Sequence, residues 1–373
     1  MKYYLIAGEA SGDLHGSNLM RALQKEDVEA EFRFWGGDLM QAVEGDIVKH
    51  YRDLAFMGFL EVAMNIRTIT KNLAFCKKDI LEYNPDCIIY IDYPGFNLRI
   101  AKWAKEKGFK NYYYVSPQIW AWKENRIHSI KRDIDKMYVI LPFEEKYYQD
   151  KHNFPAIFVG HPLLDAIANR KQRGMYEFKA KHELSDKPII ALLPGSRKQE
   201  IKKMLSIMLS VVKDFENYQF IIAGAPGQEK QFYSQFTNQQ NVSFVSNKTY
   251  DLLSLSYAAL VTSGTATLET GLFKVPQVVC YKGSWLSYQI GKRIVNLQYI
   301  SLVNLIMDRE VVKELIQDEL NTKNLKIELQ KILEKPKREK MFLEYFELEQ
   351  KLGGKGASDK TAQLIYEDLI ADN

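Results

Sequence analysis

Short apolar runs, each ended by a glycine, proline or polar turn, alternate along this chain with stretches in which apolar residues return every three or four positions. YYLIAG (3–8), FRFWGG (32–37), CIIYIDYPGFN (87–97), KNYYYVSP (110–117), KMYVILPF (136–143) and AIFVGHP (156–162) are the runs of the first part. Unbroken apolar runs of this length read as strands buried on both faces, which is how parallel sheets are written. LHGSNLMRALQ (14–24) and LRIAKWAKEKG (98–108) carry helical periodicity between them. The alternation predicts βαβ units and a doubly wound parallel sheet. From about 165 to 187 the chain turns polar, with one helical patch, MYEFKAKHEL, which marks a domain boundary. The pattern then restarts. PIIALLPGSR (188–197), YQFIIAGAP (218–226), AALVTSG (258–264) and PQVVCY (276–281) read as strands with their turns, and KQEIKKMLSIMLSVVKDF and TATLETGLF as helices. EKPKREK (334–340) is a charged break. LGGKGASDKTAQLIYEDLI (352–370) ends in a helix with Ser358 or Asp359 as its N-cap. The pattern thus predicts an α/β protein of two domains, 1–165 and 166–344, with a ligand cleft at the C-terminal ends of the strands.

Composition narrows the class without changing the fold. The 373 residues are 46% hydrophobic and 26% charged, an ordinary globular balance. A net charge of +4 is too small to argue for nucleic acid. Three widely spaced cysteines, Cys76, Cys87 and Cys280, fit a reduced, cytoplasmic protein better than a disulfide framework. The six histidines show no HxxxH-type pairing, so no metal is expected. The first residues run directly into acidic positions, unlike a signal peptide. No stretch approaches the ~18 apolar residues of a membrane-spanning helix.

The chemistry-bearing positions cluster at strand ends. AGEASGDLHG (7–16) resembles a phosphate-cradling turn in its glycines, Gly8, Gly12 and Gly16, yet it carries Glu9 and Asp13 and no lysine. An acidic turn suits sugar hydroxyls rather than phosphate. Asp92 ends the apolar run CIIYI ahead of a Pro-Gly turn, where a carboxylate can take a proton from an attacking hydroxyl; an Asx-type turn is the plain alternative. The second half supplies what the acidic turn lacks. Gly195, Ser196 and Arg197 stand between a strand and a helix, suited to a diphosphate. Ser263, Gly264 and Thr265 open another helix, with Glu269 about one turn on, where a carboxylate can accept both ribose hydroxyls. The stretch 54–80 is strongly apolar with a basic edge. It suits an anionic membrane surface or acyl chains, or else a core helix pair. Aromatic and basic residues interleave over 112–132, including Trp120, Trp122 and Arg126, but this is the one such cluster and nucleic acid is not expected.

Taken together, AGEASGDLHG, MGFLEV, IDYPGFNLRIA, VSPQIWAW, LPFE, FVGHPLLD, LPGSRKQEI, TSGTATLE and ISLVNLI closely resemble the lipid-A-disaccharide synthase family of glycosyltransferases. The resemblance implies a GT-B fold of two Rossmann-like domains facing a central cleft, with a C-terminal helix, about 345–373, returning to the first. It implies transfer from UDP-2,3-diacylglucosamine to 2,3-diacylglucosamine 1-phosphate (lipid X), with inversion and without metal or other cofactor, giving a β-1,6-linked disaccharide 1-phosphate and UDP. The family's essential glutamate falls on Glu9 and its candidate base on Asp92. Its LPGSR arginine falls on Arg197, its SGTATLE glutamate on Glu269, and its ISL-x-N asparagine on Asn304. Gly12, Asp13, Asn97, Gln118, Trp120 and Arg126 join Asn304 as expected substrate-binding residues. Gly95 replaces a second aspartate found in some members, and His15 a small or apolar residue. The implied setting is the inner face of the cytoplasmic membrane, contacted through about 54–80; a homodimer is compatible with this reading. A UDP-N-acetylglucosamine 2-epimerase-like enzyme and a non-catalytic lipid-binding relic are the competing readings.

Overall fold

The computed structural model describes residues 1–54, 66–170, 174–225, 228–237, 239–283 and 298–371. It contains two compact units, Met1–Asn169 with Leu352–Asn373, and Arg170–Lys351. The units divide a few residues beyond the expected boundaries at 165 and 344. The helix Lys335–Lys351 stays with the second unit because it buries Met341, Tyr345 and Leu348 there. Lys274 Nζ also donates to the Tyr345 carbonyl at 3.0 Å. From Leu352 onward the chain joins the first unit, where the Leu352 carbonyl accepts from the His161 N–H at 3.0 Å.

In the first unit, β1 (Lys2–Ala7), β2 (Glu31–Gly36), β3 (Asp46–His50), β4 (Cys87–Ile91), β5 (Lys110–Tyr114), β6 (Lys136–Val139) and β7 (Ala156–Phe158) form a parallel sheet. Its order is β3-β2-β1-β4-β5-β6-β7. In the second unit, β8 (Ile189–Leu193), β9 (Gln219–Gly224), β10 (Val242–Ser246), β11 (Ser256–Thr262), β12 (Gln277–Tyr281) and β13 (Lys313–Ile316) form another, in the order β10-β9-β8-β11-β12-β13. Each sheet reverses direction of growth once, between β1 and β4 and between β8 and β11. Those are the points where ligands bind in open α/β sheets, at the carboxyl ends of the strands. The central strands β4, β8 and β9 are buried at every residue, as the apolar runs predicted.

Three strands, β3, β10 and β13, were not legible as apolar runs, and each is a sheet edge. An edge strand is covered less completely, so its sequence need not be apolar throughout; β3 reads Asp-Ile-Val-Lys-His and no residue of it is fully buried.

The last helix, Ala357–Ala371, packs on the helix Ala10–Glu26. Neither Ser358 nor Asp359 caps it. The Asp165 carboxylate does, accepting from the Gly356 and Ser358 N–H groups at 2.7 and 3.0 Å. Of the apolar stretch 54–80, residues 55–65, with Phe56, Met57, Phe59, Leu60 and Met64, lie outside the described residues. The helix Ile66–Tyr83 that follows buries Cys76, Asp79 and Ile80. It leaves Lys71, Phe75 and Lys78 exposed. No described helix is long and apolar enough to cross a membrane.

Candidate active site

At the switch point of the first sheet, Ala7 and Ile91 are paired neighbours, so the residues that leave β1 and β4 emerge side by side. The acidic turn is shorter than its glycines suggested. The helix begins at Ala10, and Gly8 and Glu9 are the whole connection, with Glu9 as N-cap. Gly8 is required by packing: a Cβ there would overlap the Tyr93 ring. Gly12 is buried on that helix, where a Cβ would lie 3.1 Å from the Ala7 side chain; it serves close packing rather than a ligand.

Asp92 follows β4 in a left-handed conformation, φ 45°, and Tyr93 does the same at φ 49°. Such geometry in non-glycine residues costs of order 1–3 kcal/mol each and persists only where its surroundings enforce it. Here the Asp92 carbonyl accepts from the Tyr113 hydroxyl at 2.6 Å and from Asn97 Nδ2 at 2.7 Å. Burial pushes the Asp92 carboxyl up to about 6, and the nearby Glu9 charge adds to the rise; the Tyr93 N–H and Arg126 partly offset it. A half-buried carboxylate raised toward neutrality has the acidity suited to a general base. Arg126, also half-buried, is the cation that both Tyr113 and Asp92 feel.

Several residues expected to touch substrate are otherwise engaged. Asp13 is 3% exposed, and its carboxylate accepts from the N–H groups of Gly37, Leu39 and Met40 at 2.8, 3.1 and 3.0 Å. It holds the short helix Asp38–Gln41, and its burial keeps it from a sugar. Asn97 is fully buried and acts through the Asp92 backbone. Trp120 donates Nε1 to Glu144 at 3.0 Å and meets the Phe143 ring edge-on. Glu144, which sequence reasoning passed over within LPFE, is the buried hub of this loop. It also accepts from Ser116 Oγ and from the Ile140 and Leu141 N–H groups. Gln118 is exposed on the loop after β5.

At the switch point of the second sheet, a cavity of about 480 Å³ lies at the ends of β8, β9 and β11. It is lined by Gly195, Ser196 and Arg197, by Ser263, Gly264 and Thr265, and by Glu269. Two loops some 65 residues apart in sequence thus meet because β8 and β11 are neighbours, with Leu193 paired to Val261. Arg197 is the N-cap of the helix Lys198–Met208, and Gly264 that of Thr265–Leu272, so two helix N-termini open on the cavity. Glu269 is oriented by the Tyr250 hydroxyl, which donates to Oε1 at 2.9 Å; burial raises this carboxyl above its ordinary range and the Tyr250 bond counters the rise. Ser263 Oγ donates to the Ile300 carbonyl at 2.8 Å. Ala223–Ala225 and Thr249 also line it; no motif announced them, but all sit at a strand end or helix start on the same edge.

Asn304 is not in this lining. It is fully buried, its Nδ2 donates to the Val312 carbonyl and to Glu314, and its Oδ1 accepts from the Val311 and Val312 N–H groups. All four of its hydrogen-bonding positions are spent. Glu314 in turn accepts from the Ile300 and Ser301 N–H groups. Asn304 therefore shapes the wall on which Ser263 rests. Among the described residues no group of three or more His, Cys, Asp or Glu converges as metal ligands would.

Two Rossmann-like units, each with polar side chains gathered at its switch point, define the GT-B class of sugar-nucleotide enzymes. Solved structures of the same fold include the UDP-GlcNAc 2-epimerase of Neisseria meningitidis bound to UDP-GlcNAc, 15% identical with a TM-score of 0.64 and all of both chains covered. Another is the Methanocaldococcus jannaschii enzyme in complex with UDP-GlcNAc and UDP, 15% identical with a TM-score of 0.66, covering 98% of this chain and 99% of that one. At such identity the likeness carries the fold alone. The sequence carries the family. The model of lipid-A-disaccharide synthetase matches residues 3–366. The lipid-A-disaccharide synthase of Syntrophus aciditrophicus (strain SB) is 38% identical over 368 residues, 96% of this chain and 95% of that protein. That of Coxiella burnetii (strain Dugway 5J108-111) is 39% identical over 320 residues, 84% of each. The chain belongs to the lipid-A-disaccharide synthase family and is a glycosyltransferase of lipid A synthesis.

Proposed function

We propose that this chain carries out its family's reaction with the work divided between its units. The second unit binds UDP-2,3-diacylglucosamine, with the diphosphate on Gly195–Arg197 and the ribose on Glu269. The first unit activates 2,3-diacylglucosamine 1-phosphate. The acceptor's primary hydroxyl oxygen forms a bond to the donor's anomeric carbon as the bond from that carbon to the β-phosphate oxygen breaks. The hydroxyl proton passes to Asp92 and the electron pair leaves with UDP. Attack opposite the leaving group turns the α-linked donor into a β-linked product. Glu9 binds sugar hydroxyls beside the base. The observation that carries this reading is the meeting of the 195–197 loop and the 263–269 helix around one cavity. Incubation with both diacylated substrates, followed by mass spectrometry, is expected to give the disaccharide 1-phosphate with UDP released only when acceptor is present. An epimerised sugar nucleotide formed without acceptor would overturn it in favour of the epimerase-like reading.

Leaving-group stabilisation is assigned to Arg197 and the two helix N-termini, so no divalent ion is needed. Full activity in excess EDTA is the expected result; loss restored by Mg²⁺ would replace this account.

The proposal extends to a cytoplasmic enzyme resting on an anionic membrane surface through about 54–80, where the described part presents Phe75 between Lys71 and Lys78. Replacing Phe56, Phe59 and Leu60 with serine is expected to reduce sedimentation with anionic vesicles and raise the KM for acylated substrates, with UDP affinity kept. If the variant instead loses its helical circular dichroism, the segment is core. Homodimer assembly, part of the same proposal, is read from sedimentation equilibrium.

A further inference from the structure

The diphosphate loop of the second unit already carries an anion, and it is the protein's own. Glu200 Oε2 accepts from the Ser196 backbone N–H at 3.2 Å. Its carboxylate also packs against Gly195, which sits at φ +100°, so closely that a Cβ there would overlap it. Glu200 lines the same cavity as Arg197 and Glu269. The geometry comes from the helix Lys198–Met208. Side chains tilt toward a helix N-terminus, so a glutamate in the first turn is aimed back across the loop that precedes it. In an ordinary capping box this side chain would reach the N-cap N–H, here that of Arg197. The bond goes instead to Ser196, one residue further into the loop.

We infer that Glu200 is a built-in competitor for the diphosphate. This rests on the reading of 195–197 as the diphosphate loop. A carboxylate oxygen and a phosphate oxygen compete for the one Ser196 N–H, and two anions within a few ångströms repel. Glu200 must release that N–H for the sugar nucleotide to seat, and it retakes the N–H as UDP departs. It therefore weakens product binding and speeds release.

The test is calorimetry with UDP and with uridine, which has no phosphate, on the full chain and on Glu200→Gln. Glutamine keeps the size and an acceptor oxygen but loses the charge. UDP is expected to bind about five- to tenfold more tightly to Glu200→Gln, with uridine affinity unchanged. Glu200→Ala, a second variant should the first fold poorly, is expected to shift UDP in the same direction. UDP affinity that is unchanged or weaker overturns the inference and makes Glu200 a loop-positioning residue; equal tightening of uridine also overturns it. An unsubstituted protein that fails to bind UDP is a different failure, since it removes the reading of the pocket itself.

Discussion

Asp92→Asn is expected to lower kcat by about 10²–10⁴-fold while UDP affinity stays unchanged. The substitution keeps the size of the side chain, and the Asp92 carbonyl that Tyr113 and Asn97 hold is untouched, so the strained turn persists. Only the proton acceptor is lost. The pH profile gives a second readout. Asp92 works as a base in its ionised form, and its carboxyl is raised to about 6 by burial first and by Glu9 second. Activity should therefore fall as pH drops through about 6, and this acid limb should be absent from the residual activity of Asp92→Asn. Glu9→Gln removes one of the charges that raise Asp92, so it should move the limb to lower pH while raising KM and lowering kcat. If Asp92→Asn keeps full kcat and Glu9→Gln abolishes it, the two carboxylates exchange roles.

Arg197→Ala is expected to weaken UDP binding by about 10- to 150-fold, the loss of about 1.5–3 kcal/mol from charge-assisted hydrogen bonds to a diphosphate. Arg197 is exposed at the head of its helix, so the variant should fold normally. Calorimetry with UDP measures the effect, and an affinity equal to that of the unsubstituted protein would take Arg197 out of the site. Glu269→Ala should weaken UDP more mildly and discriminate less between ribose and deoxyribose nucleotides, because its contact is with the sugar hydroxyls.

The sequence by itself determined the central strands and the chemical type of each half. β1, β4, β8 and β9 are buried almost throughout, so hydrophobicity alone writes them as apolar runs. Motifs at the ends of β1, β4, β8 and β11 located Glu9, Asp92, Arg197 and Glu269, because strand-to-helix turns are punctuated locally by glycine and proline. The edge strands β3, β10 and β13 escaped, since half-covered strands need no apolar run. What only the tertiary structure decided was the employment of each polar residue. Asp13 lies four residues from Glu9 in sequence, yet its carboxylate serves backbone 24 to 27 residues away. Asn304 is spent on residues 311–314, and Asp165 on a helix nearly 200 residues later. Glu200 reads as a first-turn helix acid until its bond to Ser196 places it over the diphosphate loop. The reason is physical: burial follows from a residue's own side chain and its near neighbours, whereas a buried polar group is satisfied by whichever donors the fold brings to it, and those arrive from any distance along the chain.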